Sequence, residues 1–451
     1  MPNNIAYFTL SMWPLVTLFL LKKQGVGLGS LTSLLAAYMF LPAGFSINYP
    51  GLPGLDKFTM TTLTIMIYAM VTKKKFILEN YIQVIPRKIG KIGPFLFANI
   101  KTKHDISGAT AFKIQYAFLY FVPFLIGYKY FSSELSHVKL LKYFAVAVFI
   151  YSFFALYEIR MSPQLHMDLY GYFPHSWIQQ KREGGFRAVV FMGHGLLVAM
   201  FIVIGVGCWS ALRKTNNKIF KYKHMYGLYL CAFTLLLMKT LGALLLGLLA
   251  YIAINNLKPN QQLLISVLLA GIFLTYPISS AIGVFPHQEI YDIAKNIDED
   301  RAQSLKYRFD NESLLLAHAN EKPFTGWGGW ARNRVYDEQT GQDLTIIDGY
   351  WIIVLGKYGW IGFLSCFMFV AMPIIESYRR RKVLTEHSEQ VQRLLAAHAL
   401  ILSLILIDQI PNSSMINNSL YWLFAGSLLG RVRVLSNESQ YLKLKERSIN
   451  K

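Results

Sequence analysis

Charge is what this sequence has least of. Only 16% of its 451 residues are Asp, Glu, Lys or Arg, against 54% hydrophobic and 15% aromatic, too few to cover a soluble domain with ordinary surface chemistry. Acid is the scarcer sign: 25 Asp and Glu stand against 45 Lys and Arg, a formal charge of +20. Cysteine is almost absent. The three present, Cys208, Cys231 and Cys366, lie within or at the end of apolar runs, far from metal-ligand spacing, which argues against a disulfide framework or a zinc site and for packing. No Gly-rich phosphate loop, H-E-x-x-H or nucleophile elbow occurs, so covalent serine chemistry has no support. The acidic "DED" at 298–300 is too short a pattern to argue for a metal. The basic residues are scattered among apolar runs without a nucleic-acid-binding motif, which points away from nucleic acid; a bacterial-type membrane protein gathers them in cytoplasmic loops.

Long apolar runs are what the sequence has in quantity. Runs near 5–21, 29–48, 56–72, 113–130, 140–157, 188–208, 262–282, 350–376, 393–410 and 414–430 are each long enough to cross about 30 Å of hydrocarbon at about 1.5 Å per residue. A further block, 225–256, is broken by "MKTLG" and reads as two short spans. The expectation is an all-α polytopic membrane protein of about twelve transmembrane helices. "MPNNIAYF" has no basic leader and no small-residue cleavage site follows it, so the first run is expected to be a retained span.

The basic loops 213–224 ("RKTNNKIFKYKH") and 379–382 ("RRRK") are expected in the cytoplasm. Counting from them puts 158–187, the break at Lys239 and Thr240, and the long stretch 283–349 outside. With a cytoplasmic start, "KKK" at 73–75 would face outward against the charge rule unless 76–100 crosses or re-enters, so the topology of residues 1–112 stays open. The expected organisation is nine spans over 1–282, a large and mainly helical periplasmic cap loop over 283–349, three spans over 350–430 and a basic cytoplasmic tail over 431–451. A loop as long as 283–349 usually carries function or is disordered; Trp327, Trp330, Tyr336 and an apolar stripe of Leu305, Phe309, Leu315 and Leu316 favour a folded cap.

The outer segments collect cations. Residues 157–195 hold Arg160, His166, His175, Arg182, Arg187 and His194. Arg187 stands just before a span, where it either snorkels to the interface or contacts a ligand. His194, about two helical turns further in if the helix already runs there, is most simply a packed and hydrogen-bonded histidine. Lys239 either reaches headgroups or joins a cationic site. Arg301 and Arg308 share a face if 301–312 is helical, and Arg332 and Arg334 follow in the turn-rich part of the cap. Guanidinium groups bind phosphate oxygens bidentately and keep their charge, so several arginines converging here would suit a diphosphate. The plainer alternative pairs Arg308 with Glu312 on a solvated helix at i, i+4 spacing.

One stretch carries a resemblance. Asp348 and Gly349 are followed by nine residues and then Gly359, Trp360, Ile361 and Gly362. The spacing resembles a motif of the O-antigen ligase and polysaccharide polymerase superfamily of membrane glycosyltransferases, with Asp348 where ligases of that family carry histidine and Gly349 where they carry an amide or hydroxyl residue. Upstream, Arg308 precedes Pro323, Gly326 and Gly328 in a similar arrangement, "FRAVVFMGHG" resembles the segment whose arginine, here Arg187, heads a span, and "MKTLGALL" resembles the family's Ser-Arg-Gly turn with Lys239 as the nearby cation. The likeness covers residues 158–365. It implies glycan transfer at the periplasmic face of the bacterial inner membrane from a polyprenyl-diphosphate-linked donor to a glycan or lipid acceptor. No metal or cofactor is implied, and a flippase and a chain-length regulator are the companion proteins. It further implies Asp348, Arg187 and Arg308 as the catalytic set, with Arg160, His194, Lys239, Arg301, Glu312, Arg332 and Arg334 as candidate substrate contacts. Because the histidine is replaced, a polymerase is expected ahead of a ligase joining glycan to lipid A core or protein. A lipid-linked glycan transporter, which needs the cations but no base, is the rival from another class.

Overall fold

The structure is a computed structural model and describes residues 1–49, 54–72, 117–182, 184–216, 224–297, 299–329 and 331–449. The open question about 73–100 therefore lies outside the described residues. In chain order come α1 (Asn4–Phe40), α2 (Lys57–Val71), a π turn (Ala117–Phe121) leading into α3 (Val122–Tyr130), α4 (Glu134–Met161) and α5 (Leu165–Tyr170). A two-residue hairpin, β1 (Lys181–Arg182) and β2 (Gly185–Phe186), precedes α6 (Gly195–Lys214), α7 (Met225–Leu237), α8 (Leu241–Asn256) and α9 (Pro259–Ala281). The chain closes with α10 (His287–Ile297), α11 (Glu299–Asn320), α12 (Tyr350–Arg379), α13 (Arg381–Leu384), α14 (Glu389–Ile407) and α15 (Ser419–Ile449).

The described chain is mostly helical, and six helices are long and apolar enough to cross a membrane: α1, α4, α6, α9, α12 and α14. The shorter α2, α7 and α8 are also apolar. Tyr229, Phe233 and Leu236 of α7, Leu245, Leu248 and Ile252 of α8 and Leu268 and Ile272 of α9 all point outward. Such an apolar perimeter suits hydrocarbon and not water. At the centre α6 is buried on every side from Val198 to Leu212, as a helix apolar all round must be. The block 225–256 is two short helices, with Lys239 in the break at φ +52°.

Two of the long helices are doubled over. In α1 Gly25 is non-helical (φ +78°, ψ 171°), and the hydroxyls of Thr17 and Ser33 hydrogen-bond at 2.9 Å, although an unbroken helix would hold them about 24 Å apart. The runs 5–21 and 29–48 are thus antiparallel halves of one hairpin. In α12 the break is at Gly359 (φ +62°, ψ −167°). The rings of Tyr350 and Phe367 lie 5.5 Å apart where continuous helix would separate the two positions by about 25 Å. The stretch 350–376 is therefore not one straight span: residues 350–358 run back alongside the helix that follows the kink, and Tyr350 donates its backbone N–H to the carbonyls of Gln409 (3.1 Å) and Asn412 (2.9 Å), just past the end of α14.

The turn 323–328 holds this kink. Trp327 and Gly328 donate their backbone N–H groups to the carbonyls of Gly356 (2.8 Å) and Lys357 (2.9 Å), and Trp360 donates to that of Pro323 (2.7 Å). Residues 287–349 form a folded cap of α10, α11 and this turn, with a short bridge between Tyr336 and Asp343. A second close joint lies between α3 and α15, where a Cβ on Gly127, Gly426 or Gly430 would stand 2.0 to 2.2 Å from a backbone oxygen of the other helix. The two backbones touch directly, as small residues allow.

Candidate functional site

The site is assembled at the cap end of the bundle from three distant segments. Arg187 follows the small hairpin and donates its backbone N–H to the carbonyl of Gln180 at 2.8 Å. Its side chain is only 6% exposed and runs across Gly195, where a Cβ would stand 2.1 Å from the arginine Cδ; glycine opens the path. The Nε has no hydrogen-bond partner, and among the described residues no carboxylate lies within ion-pairing distance of the guanidinium. Burial, and then the neighbouring charges of Arg182 and Arg308, pull its pKa down to about 10, so it remains a cation at neutral pH.

Arg308 projects from α11 and pairs through Nε with Asp348 Oδ2 at 3.2 Å. The two are 39% and 43% exposed, so the pair contributes about 1 kcal/mol at most to stability. The alternative pairing of Arg308 with Glu312 does not form. Glu312 instead turns toward α9, accepting from the Tyr276 hydroxyl at 2.7 Å and the Ser280 hydroxyl at 2.9 Å, with His287 Nε2 at 3.7 Å. It docks the cap helix one turn beyond Arg308 and leaves that arginine to Asp348.

Lys239 extends over the hairpin, its Nζ 3.4 Å from where a Cβ of Gly185 would stand, beside Arg182. His194 does not lie two turns inside a helix, because residues 187–194 are non-helical and α6 begins at Gly195. Its Nδ1 accepts the Leu196 N–H at 3.1 Å as the N-cap. Burial and then His175, Arg187, Arg182 and Arg308 push the imidazole down to about 3; it is neutral near physiological pH. His166 bridges the Ala43 N–H (3.0 Å) and the Tyr172 carbonyl (2.8 Å) and is structural.

The other candidates lie apart. Arg334 pairs with Asp343 within the cap, Arg332 donates Nε–H to the Gly329 carbonyl at 3.2 Å, and Arg160 is exposed in the last turn of α4. The side chain of Arg301, and with it Trp330 and most of the "DED" stretch, lies outside the described residues.

Two charged residues missing from the sequence reading prove central to the scaffold. Glu158, fully buried near the end of α4, accepts the N–H groups of Val189 (2.8 Å) and Val190 (2.7 Å) on Oε2 and that of Leu165 (3.0 Å) on Oε1. Lys57, at the start of α2, donates to the carbonyls of Phe191 (2.9 Å), Leu41 (3.2 Å) and Tyr38 (3.3 Å). Their only sequence signal was a charge at the edge of an apolar run, which reads equally as snorkelling.

The outcome is a patch where the charges of Arg182 and Arg308 act on Arg187, Lys239 stands beside the hairpin and Asp348 is held by Arg308. Such a patch is chemically incomplete. The like charges of Arg182 and Arg308 bear on Arg187, and among the described residues no carboxylate pairs with it, an arrangement suited to an anion with several oxygens. Among the described residues no group of three or more His, Cys, Asp and Glu is placed to hold a metal. No protein-family model matches the chain, and no curated protein matches it.

Proposed function

We propose that the protein is a polytopic membrane glycosyltransferase of about twelve spans. On this reading the cap is periplasmic and the enzyme polymerises glycan repeat units carried on a polyprenyl diphosphate in the bacterial inner membrane. The observation that supports this best is Arg187, a buried guanidinium with an unpartnered Nε and two arginines as electrostatic neighbours; a diphosphate supplies the missing charge. Arg187, Arg308 and Lys239 then meet the negative charge that grows on the leaving diphosphate, a preorganised arrangement that commonly provides the largest catalytic contribution. The acceptor hydroxyl oxygen bonds to the anomeric carbon as the bond from that carbon to the diphosphate oxygen breaks, with inversion, and the hydroxyl proton passes to Asp348. Asp348 is tied to Arg308. Donor phosphate competes for that arginine and frees the carboxylate to take the proton, coupling donor binding to base activation.

The test is purified protein in lipid nanodiscs supplied with lipid-linked repeat units alone. Chain growth is expected, with Asp348→Asn abolishing growth while donor binding persists. Arg187→Ala should cut growth about 100-fold or more, and Arg187→Lys should rescue it poorly because it lacks the fork. Transfer only on addition of lipid A core or protein would make it a ligase, and donor binding without transfer to any acceptor would leave a transporter. Undiminished growth in Asp348→Asn would remove the carboxylate from the mechanism.

A further inference from the structure

Val190 is the most unusual backbone position near the site. It is a buried, β-branched residue at φ +47°, in the left-handed region that such side chains avoid and that persists only where the surroundings over-determine it. Here they do, through consecutive peptide groups. The N–H groups of Val189 and Val190 go to one oxygen of Glu158, the N–H of Phe191 goes to the Tyr151 hydroxyl at 3.0 Å, and the carbonyl of Phe191 goes to Lys57. A carboxyl group takes the donors and a lysine amine takes the acceptor of one short strip of chain. The strip begins two residues after Arg187 and ends at the His194 cap, so its path sets where the Arg187 stem crosses Gly195.

We infer that Glu158 is a positioning residue for the anion site: it holds the strained Val190 turn and thereby fixes the buried Arg187 guanidinium in place to receive an oxyanion. This rests on the reading of the site as a diphosphate site but concerns a residue that touches no substrate. A carboxylate is the suitable group because it only accepts, and three N–H donors converge on it. An amide in its place would satisfy Val189 and Val190 with its oxygen yet turn an N–H₂ against the Leu165 N–H.

The experiment is a double-mutant cycle on the full chain in detergent, with Glu158→Ala, Val190→Gly and both together, reading inorganic pyrophosphate affinity and thermal unfolding. Glycine occupies the left-handed region freely, so it removes the need for the grip, and its cost in lost Val190 packing falls on both backgrounds. Glu158→Ala is expected to weaken pyrophosphate about tenfold, and Val190→Gly should restore most of that loss in the double variant, a coupling beyond simple additivity. Additive losses, or unchanged affinity in Glu158→Ala, would overturn the inference. If Glu158→Ala does not fold, Glu158→Gln takes its place, with a smaller loss and the same rescue expected. Should the wild type itself bind no pyrophosphate, the diphosphate reading fails, and the melting cycle still decides the clamp: Val190→Gly must improve the Glu158 variant relative to wild type, and equal shifts in the two backgrounds would refute it.

Discussion

Replacing Gly359 by alanine is the sharpest test of how the cap is joined to the membrane helix. The residue sits at φ +62°, ψ −167°, a region open essentially to glycine alone, and forcing an L-residue there costs about 1–3 kcal/mol. Space is lacking too. A Cβ would stand 2.3 Å from Phe324 C, 2.4 Å from its oxygen and 2.5 Å from Pro323 O, all backbone of the turn that hydrogen-bonds into the kink, and displacing it adds about 1–3 kcal/mol of overpacking. Together Gly359→Ala should destabilise by about 2–6 kcal/mol. The control is Gly271→Ala on α9, where a Cβ meets nothing within 4 Å and helix propensity predicts a gain of about 0.5–1 kcal/mol. Thermal unfolding of the two variants in one detergent, with protease nicking of the 323–328 turn as a local reporter, measures the difference. If Gly359→Ala melts with Gly271→Ala and its turn is no more readily cut, the doubled-back geometry of α12 is wrong.

Two further outcomes follow from the surroundings of the site. His194→Ala removes the cap of α6 and should cost about 1 kcal/mol relative to His194→Asn, which retains a side-chain acceptor; equal melting of the two variants would count against the Leu196 contact. Burial raises the carboxyl of Glu312 above its usual 4.5, against the lowering effect of the Tyr276 and Ser280 hydroxyls. A folded-state pKa above the unfolded one means that this group's contribution is fullest below about pH 4.5 and is lost as pH rises through the folded value. The stability of wild type relative to Glu312→Gln should therefore fall between pH 4 and pH 7, and a rise over that interval would contradict the sign.

Much of the architecture was legible because the hydrocarbon requirement is written in long apolar runs, and the break at "MKTLG" was visible because lysine interrupts one. The hairpins at Gly25 and Gly359 were not. Each glycine sits among others, Gly27 and Gly29 in one case and Gly356 and Gly362 in the other, and composition does not say which will take a left-handed φ. At the site, an arginine heading an apolar run and an acid before another pointed to Arg187 and Asp348, which the fold brings to the same end of the bundle as Arg308. The i, i+4 spacing of Arg308 and Glu312 offered an alternative pair that does not form, because local spacing knows nothing of the hydroxyls that α9 presents to Glu312. Glu158 and Lys57 escaped notice because their partners are backbone groups, and peptide N–H and C=O are the same at every position of a sequence.

The glycine joint between α3 and α15 bears on how the molecule is made. Ser419 and Leu119, which hydrogen-bond at its edge, are 300 residues apart, so while a ribosome threads the intervening chain into the bilayer, the notched side of α3 has nothing to fit against. That joint is among the last to close. A larger side chain at Gly127, Gly426 or Gly430 would accordingly act during biogenesis, by keeping early and late parts of the polypeptide from ever meeting.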